Sequence, residues 1–257
     1  MHLDFELLLV LLTLFTGVIW AWDRFYRRKR VPEDQRHEPP PWYIDFPKSL
    51  FPVILAVLLI RGFVAEPFRI PSGSMVPTLL TGDFILVNKS SYGLRWPVLG
   101  TRIIGNGAPE RGEVAVFKYP VDPSQDYIKR VVGLPGDTIE YRNKTLYVNG
   151  EAVAQEEIGQ YDGLHADSLA TLHRETLDAG DYKVLVHERS PSGELDAVEV
   201  PEGMYFTIGD NRDRSADSRM WGFVPDEYLV GRAFLIWMSW DVHNNRVDWG
   251  RIGEGIQ

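Results

Sequence analysis

The chain has 257 residues, a net charge of −9 and no cysteine. That length supports one or two domains with a real core, and the missing thiols exclude disulfides, zinc–thiolate sites and cysteine nucleophiles together. The charge is uneven: residues 1–64 carry 8 basic and 7 acidic side chains, residues 65–257 carry 19 and 29, and so acidic a larger part argues against a nucleic-acid partner, which needs clustered lysine and arginine to neutralise phosphates.

The run FELLLVLLTLFTGVIWAW, from Phe5 to Trp22, holds a single charge at Glu6. Its length is close to what a helix needs to cross a hydrocarbon core of about 30 Å. Its flanks are unlike those of a cleaved leader: Asp4 and Glu6 stand where a positive segment is needed, and no small-residue cleavage site follows. Instead come Asp23 and then Arg24, Arg27, Arg28, Lys29 and Arg30, a cluster that places the next segment in the cytoplasm and the N-terminus outside. Residues 1–23 thus read as a first span, with a buried core helix as the alternative. Residues 24–47, polar and containing Pro39-Pro40-Pro41, read as an extended cytoplasmic loop. Residues 48–65 read as a second span, with Pro52 in its first turns, where a missing N–H matters least, and Arg61 snorkelling at its far end. A re-entrant hairpin is the alternative there. Two spans leave everything from about Ala65 outside the cytoplasm.

From Phe68 the pattern becomes short alternating runs punctuated by Gly and Pro. Asp83–Asn88, Glu113–Lys118, Tyr127–Val132, Thr138–Arg142, Thr145–Val148, Tyr182–His187, Met204–Ile208 and Ala233–Trp240 are predicted strands. Turns such as Asn149-Gly150 between them indicate antiparallel β-structure. Glu156–Asp178 is a polar exception, expected to hold a short helix or a long loop.

Three stretches carry candidate chemistry. Ser74, in Pro71-Ser72-Gly73-Ser74-Met75, is a candidate nucleophile, but serine needs a base. Six histidines exist (His2, His37, His165, His173, His187, His243), none in a special sequence context, and all read as ordinary solvated side chains. The pattern G-x-S-x-G is absent, since position 76 is Val. Lysine is the remaining base. Its free pKa near about 10.4 must be lowered by desolvation, and Lys129, between Ile128 and Arg130 on a predicted strand, shares a face with Tyr127 and Val131. Most strand lysines are solvated, so this context alone is weak. The third stretch, Gly209–Arg219, packs three aspartates, three arginines and two serines into eleven residues. It reads as a solvated loop of surface ion pairs or as a rigid polar network bracing a neighbouring site. Arg212 and Arg214 occupy positions that a calcium loop would give to oxygen ligands.

Taken together, IPSGSMVPTL, GDFILVNK, YIKRVVGLPGD and GDNRDRSADSRMWGFVP, in that order, resemble the type I bacterial signal peptidases, or leader peptidases. The resemblance covers most of residues 70–225, and the two N-terminal spans match the Gram-negative arrangement. It implies a mainly β catalytic domain (66–137 and 202–257) with an inserted variable β-rich domain (138–201). The activity implied is a membrane-bound endopeptidase with a Ser–Lys dyad, no cofactor and no metal. Ser74 resembles the nucleophile and Lys129 the base. Ser72 resembles the side chain that joins the Ser74 N–H in the oxyanion hole, and Ser215 the serine that orients the base. Asp210, Arg212, Asp217 and Arg219 resemble bracing ion pairs. Phe68, Ile70, Met75, Leu79, Ile85, Val116, Tyr127 and Ile128 resemble the lining of shallow pockets for small residues at −1 and −3. The implied partners are signal-peptide-bearing preproteins and the lipid bilayer, near the export machinery, with the catalytic domain on the periplasmic side of the inner membrane. Soluble Ser–Lys proteases, a membrane-anchored peptide-binding β-domain and a metal hydrolase built on Asp210–Asp217 are the rival readings.

Overall fold

The computed structural model describes residues 5–32, 39–96, 102–105, 107–163, 170–191 and 193–257. His2, His37 and His165 lie outside the described residues. Two compact units emerge, Met1–Glu66 with Leu94–Ile104, and Pro67–Gly93 with Gly105–Gln257.

The first unit holds two helices, Phe5–Arg30 and Trp42–Val64, each long and apolar enough to cross a membrane. They pack against each other where Gly17 leaves room for the Phe51 ring, since a Cβ there would come within 2.9 Å of it. Phe51 also meets Trp20, with ring centroids 5.3 Å apart. Asp23 is buried and takes Arg27 at 2.5 Å and, across the pair, Lys48 at 2.9 Å. Their outward side chains, among them Leu14, Phe15, Val18 and Val53, are exposed and apolar. The second helix starts at Trp42, six residues before the expected Lys48. The cause is the preceding proline run: Pro41 is extended and its carbonyl accepts from the N–H groups of Ile44 and Asp45, so the helix begins at once. Pro47 and Pro52 therefore lie inside the helix rather than in its first turns.

The second unit is mainly antiparallel β. Its main sheet runs in the order Ala65–Arg69, Asp83–Asn88, Leu229–Asp241, Val114–Lys118, Asp126–Gly133, Met204–Ile208, Val224–Pro225. The 13-residue strand Leu229–Asp241 pairs with Val114–Lys118 through its first half and with Asp83–Asn88 through its second, with register shifts in both ladders. Such bulges bend a strand and raise its twist, and the sheet curls. Inside it lies a core of Ile70, Met75, Leu79, Ile85, Val87, Val114, Val116, Ala233 and Ile236.

Residues 138–201 add two smaller sheets within the same unit. One has the order Leu195–Glu199, Thr138–Arg142, Thr145–Val148, Glu151–Ala152, and the other Gln155–Gln160, Thr171–Leu177, Gly180–Val186. The second corrects the expectation of a helix or loop over Glu156–Asp178. Its first two strands are polar, and several of their side chains face water and pair across the ladders, Arg174 with Glu156 and Thr176 with Asp181. Apolar alternation is missing from these two strands, whereas Gly180–Val186 keeps it and buries Tyr182, Val184 and Val186. The hairpin turn at Asn149 and Gly150 has φ of 54° and 82°, both left-handed as a type I′ turn demands. The turn before it does the same with Asn143 and Lys144, at φ 49° and 63°. Lysine is poorly suited to that region, and its side chain is engaged elsewhere, as described below.

Candidate active site

Ser74 is held on a short turn segment whose apolar residues point inward. Met75, Val76 and Leu79 are fully buried, while the backbone closes with Val76 N–H on Gly73 C=O and Leu79 N–H on Met75 C=O. Burying these three anchors fixes the segment and leaves Ser74 Oγ turned toward the strand Asp126–Gly133. Alternation along that strand sends Lys129 and Arg130 to opposite faces. Lys129 Nζ lies 2.7 Å from Ser74 Oγ and 2.8 Å from the Ile128 carbonyl. Ser72 Oγ is 3.4 Å from Ser74 Oγ.

Lys129 is only 4% exposed. Burial lowers its pKa to about 8, and the negative charges of Asp217 and Asp210 limit the fall by favouring the cation. Both of those aspartates are engaged by arginine, which shields the amine from bare carboxylates. Arg130, on the far face, forks onto Asp210 through Nε at 2.8 Å and Nη2 at 2.7 Å. Arg219 forks onto Asp217 at 2.8 Å through each nitrogen.

The stretch Gly209–Arg219 is thus a polar network, and most of its partners come from outside it. Thr78 Oγ1 donates to Asp210 at 2.5 Å. Arg212 forks onto Glu175, which also accepts from Tyr182 and Gln155. Burial alone pushes the Glu175 carboxyl up, but Arg212 and these donors bring it below its ordinary value. Asp213 takes Lys144 Nζ at 2.9 Å, and Lys144 also donates to the carbonyls of His187 and Ser190. That three-way contact accounts for a lysine in a left-handed turn. Arg130 and Glu175 carry no local sequence signal as partners of this loop, and neither was expected.

Four findings depart from the sequence expectations. Ser215 Oγ is buried and has no hydrogen-bond partner, so the bond expected from it to the amine is not formed. It packs instead on Gly209, where a Cβ would fall 2.2 Å from Ser215 Oγ and 2.6 Å from the Ser74 carbonyl. Arg212 pairs with Glu175 rather than with an aspartate of its own loop. Of the eight residues expected to line substrate pockets, Tyr127 and Ile128 line the cleft beside Ser74. Ile70, Met75, Leu79, Ile85 and Val116 are at most 2% exposed within the core, with Phe68 packed on it. A core position and a pocket wall present the same apolar alternation. Finally, His187 is not solvated: it is 5% exposed and hydrogen-bonded through Nε2.

The cleft itself has a volume of about 730 Å³ and is lined by Pro71–Ser74 and Val76, by Gln125–Lys129, and by Thr81, Asn211, Arg214, Ala216 and His243. Tyr127 is held there by stacking on Tyr119 at 4.2 Å and by the edge contact of Trp221 at 5.3 Å. Among the described residues no group of three or more His, Asp or Glu side chains is disposed to hold a metal ion.

The buried Lys129 amine thus lies against the Ser74 hydroxyl, and both residues line the cleft. Comparison with known proteins gives the family. The family described as signal peptidase, peptidase S26, matches residues 43–240. Signal peptidase I of Pseudomonas aeruginosa is 45% identical over 93% of this chain and 94% of its own, and that of Pseudomonas fluorescens is 42% identical over 93% and 94%. This chain belongs to the signal peptidase family, peptidase S26.

Proposed function

We propose that this chain is a membrane-bound serine endopeptidase that cleaves N-terminal signal peptides from exported preproteins after small residues at −3 and −1. The observation that carries the reading is the 2.7 Å contact between a hydroxyl and a lysine amine that burial has brought to a pKa of about 8. Neutral Lys129 takes the Ser74 proton as Oγ attacks the scissile carbonyl. The Ser74 N–H and the Ser72 hydroxyl donate to the oxyanion, each such donor typically worth about 2.7–4 kcal/mol in the transition state. The lysine ammonium then protonates the leaving amine, which departs with the mature protein. A water deprotonated by the same amine attacks the acyl-serine, and collapse returns the proton to Ser74 Oγ and frees the signal peptide. Asp210, Asp217 and their arginines act as braces.

Two apolar helices and the basic residues between Arg24 and Arg30 support an inner-membrane anchor with the catalytic part on the periplasmic side. The domains proposed are a catalytic part over 66–137 and 202–257, with 138–201 inserted. The test is incubation of the purified protein with a precursor bearing alanine at −3 and −1, followed by mass mapping of the products. Cleavage directly after the −1 alanine, absent in Ser74→Ala, is the expected result. A cut elsewhere, or one that persists in Ser74→Ala, contradicts the reading.

Gly209 supplies a second check. The Cβ of Gly209→Ala has no room between Ser215 and the Ser74 carbonyl, so the nucleophile must move. Displacements near 1 Å cost about 100-fold in rate, and overpacking of this kind destabilises by roughly 1–3 kcal/mol. Wild-type turnover and melting temperature in Gly209→Ala exclude this close approach.

A further inference from the structure

The nucleophile segment is tied to residues 138–201 through a path that the dyad does not use. Asn211 bonds two consecutive carbonyls of that segment. Its main-chain N–H donates to Ser74 C=O at 3.1 Å, and its side-chain Nδ2 donates to Gly73 C=O at 3.0 Å. The other end of the same amide, Oδ1, lies 3.1 Å from His187 Nε2. A carboxamide rotated by 180° would set two oxygens against each other at Gly73. The orientation that satisfies Gly73 therefore presents an acceptor to His187, and Nε2 must carry the proton.

His187 is itself fixed. Its N–H donates to Asp213 Oδ2 at 2.8 Å, and its carbonyl accepts from Lys144 Nζ at 3.0 Å. Two residues earlier, the Leu185 N–H donates to the Asp210 carbonyl at 2.8 Å, bridging the strand Gly180–Val186 to the same loop. The main chain of His187 is thus fixed at a strand end, and its buried imidazole meets the Asn211 amide from there.

We propose that Asn211 and His187 are positioning residues for the oxyanion hole: His187 holds the Asn211 amide, and the amide holds the Gly73–Ser74 carbonyls, so that the Ser74 N–H and Ser72 hydroxyl stay aimed at the reacting oxygen. This rests on the proposed function above. Oxyanion donors act over a narrow range of about 2.7–3.1 Å, so release of this support lowers the rate of the chemical step and leaves ground-state peptide binding intact.

The test uses the full-length protein in detergent and a model precursor peptide with alanine at −3 and −1. His187→Leu keeps bulk but removes the donor, and it is expected to lower kcat about tenfold with KM changed less than about twofold. His187→Gln restores an N–H donor to Asn211 and is expected to return kcat to within about threefold of wild type. Asn211→Ala removes the Gly73 bond and is expected to lower kcat about 100-fold, again with little change in KM. Equal kcat in the Gln and Leu variants overturns the inference, and so does wild-type kcat in Asn211→Ala. If His187→Leu melts below the assay temperature, a kcat in His187→Gln more than about tenfold below wild type overturns the inference, as does wild-type kcat in Asn211→Ala. A wild-type protein that fails to cleave the peptide instead sinks the functional reading.

Discussion

Lys129→Met is expected to abolish turnover and at the same time to stabilise the fold below pH 8. As the proposed base, Lys129 is required both to form and to break the acyl-enzyme. Removal of such a group typically costs about 10²–10⁴-fold for each proton transfer it serves, so the combined loss leaves no measurable cleavage. The stability gain follows from linkage. The amine titrates near 8 in the folded protein and at its ordinary 10.5 otherwise. Below pH 8 both states are protonated, and the folded state carries the full penalty of a buried ammonium. Between pH 8 and 10.5 the unfolded chain binds more protons, so that penalty fades as pH rises. At about 1.4 kcal/mol per pH unit, and after loss of the bonds to Ser74 and Ile128, the methionine variant should gain about 1–3 kcal/mol at pH 7 and little at pH 10. Thermal melts at the two pH values check this. A destabilised variant at pH 7 contradicts it. The matching kinetic signature is a wild-type rate that climbs as pH passes through about 8.

Arg130→Met is expected to have the largest effect on folding. Arg130 and Asp210 are each 1% exposed in their side chains, and Arg130 also donates to the carbonyls of Gly112 and Gln257 and stacks on Tyr182. Without the guanidinium, Asp210 keeps only Thr78 as a side-chain hydrogen-bond partner among the described residues. Breaking a buried pair in this way typically costs about 3–5 kcal/mol, a large part of an ordinary stability of about 5–15 kcal/mol. A bare Asp210 also favours the charged form of Lys129, so the alkaline rise in rate should move to higher pH. Arg130→Met combined with Asp210→Leu should recover most of the lost stability, because an apolar replacement of a whole buried pair is often neutral. A double variant as unstable as the single one would show that the pair's role is not mutual compensation.

Much of this architecture was legible where local rules act alone. Asp83–Asn88, Thr138–Arg142, Thr145–Val148 and Met204–Ile208 are strands with the bounds that alternation and turn residues predict. Gln155–Gln160 and Thr171–Leu177 were not, because polar residues occupy both faces of these two strands and leave no apolar rhythm. For the site, sequence could propose Ser74 and Lys129 but not their spacing. Arg130 and Asp210 are 80 residues apart and Arg212 and Glu175 are 37, and no local pattern joins such partners. His187 looked ordinary for the same reason, since its burial is decided by a loop 24 residues away.

The anchoring of that loop bears on any attempt to miniaturise the protein. Residues 138–201 resemble an ornament that could be trimmed, yet Lys144, Glu175 and His187 all belong to them, and each meets a different member of Asn211–Asp213. A truncated chain would strand an arginine and an aspartate whose side chains are 1% and 0% exposed. Swapping this segment between relatives therefore succeeds only where the donor brings a cation, an anion and a ring donor to those same three addresses.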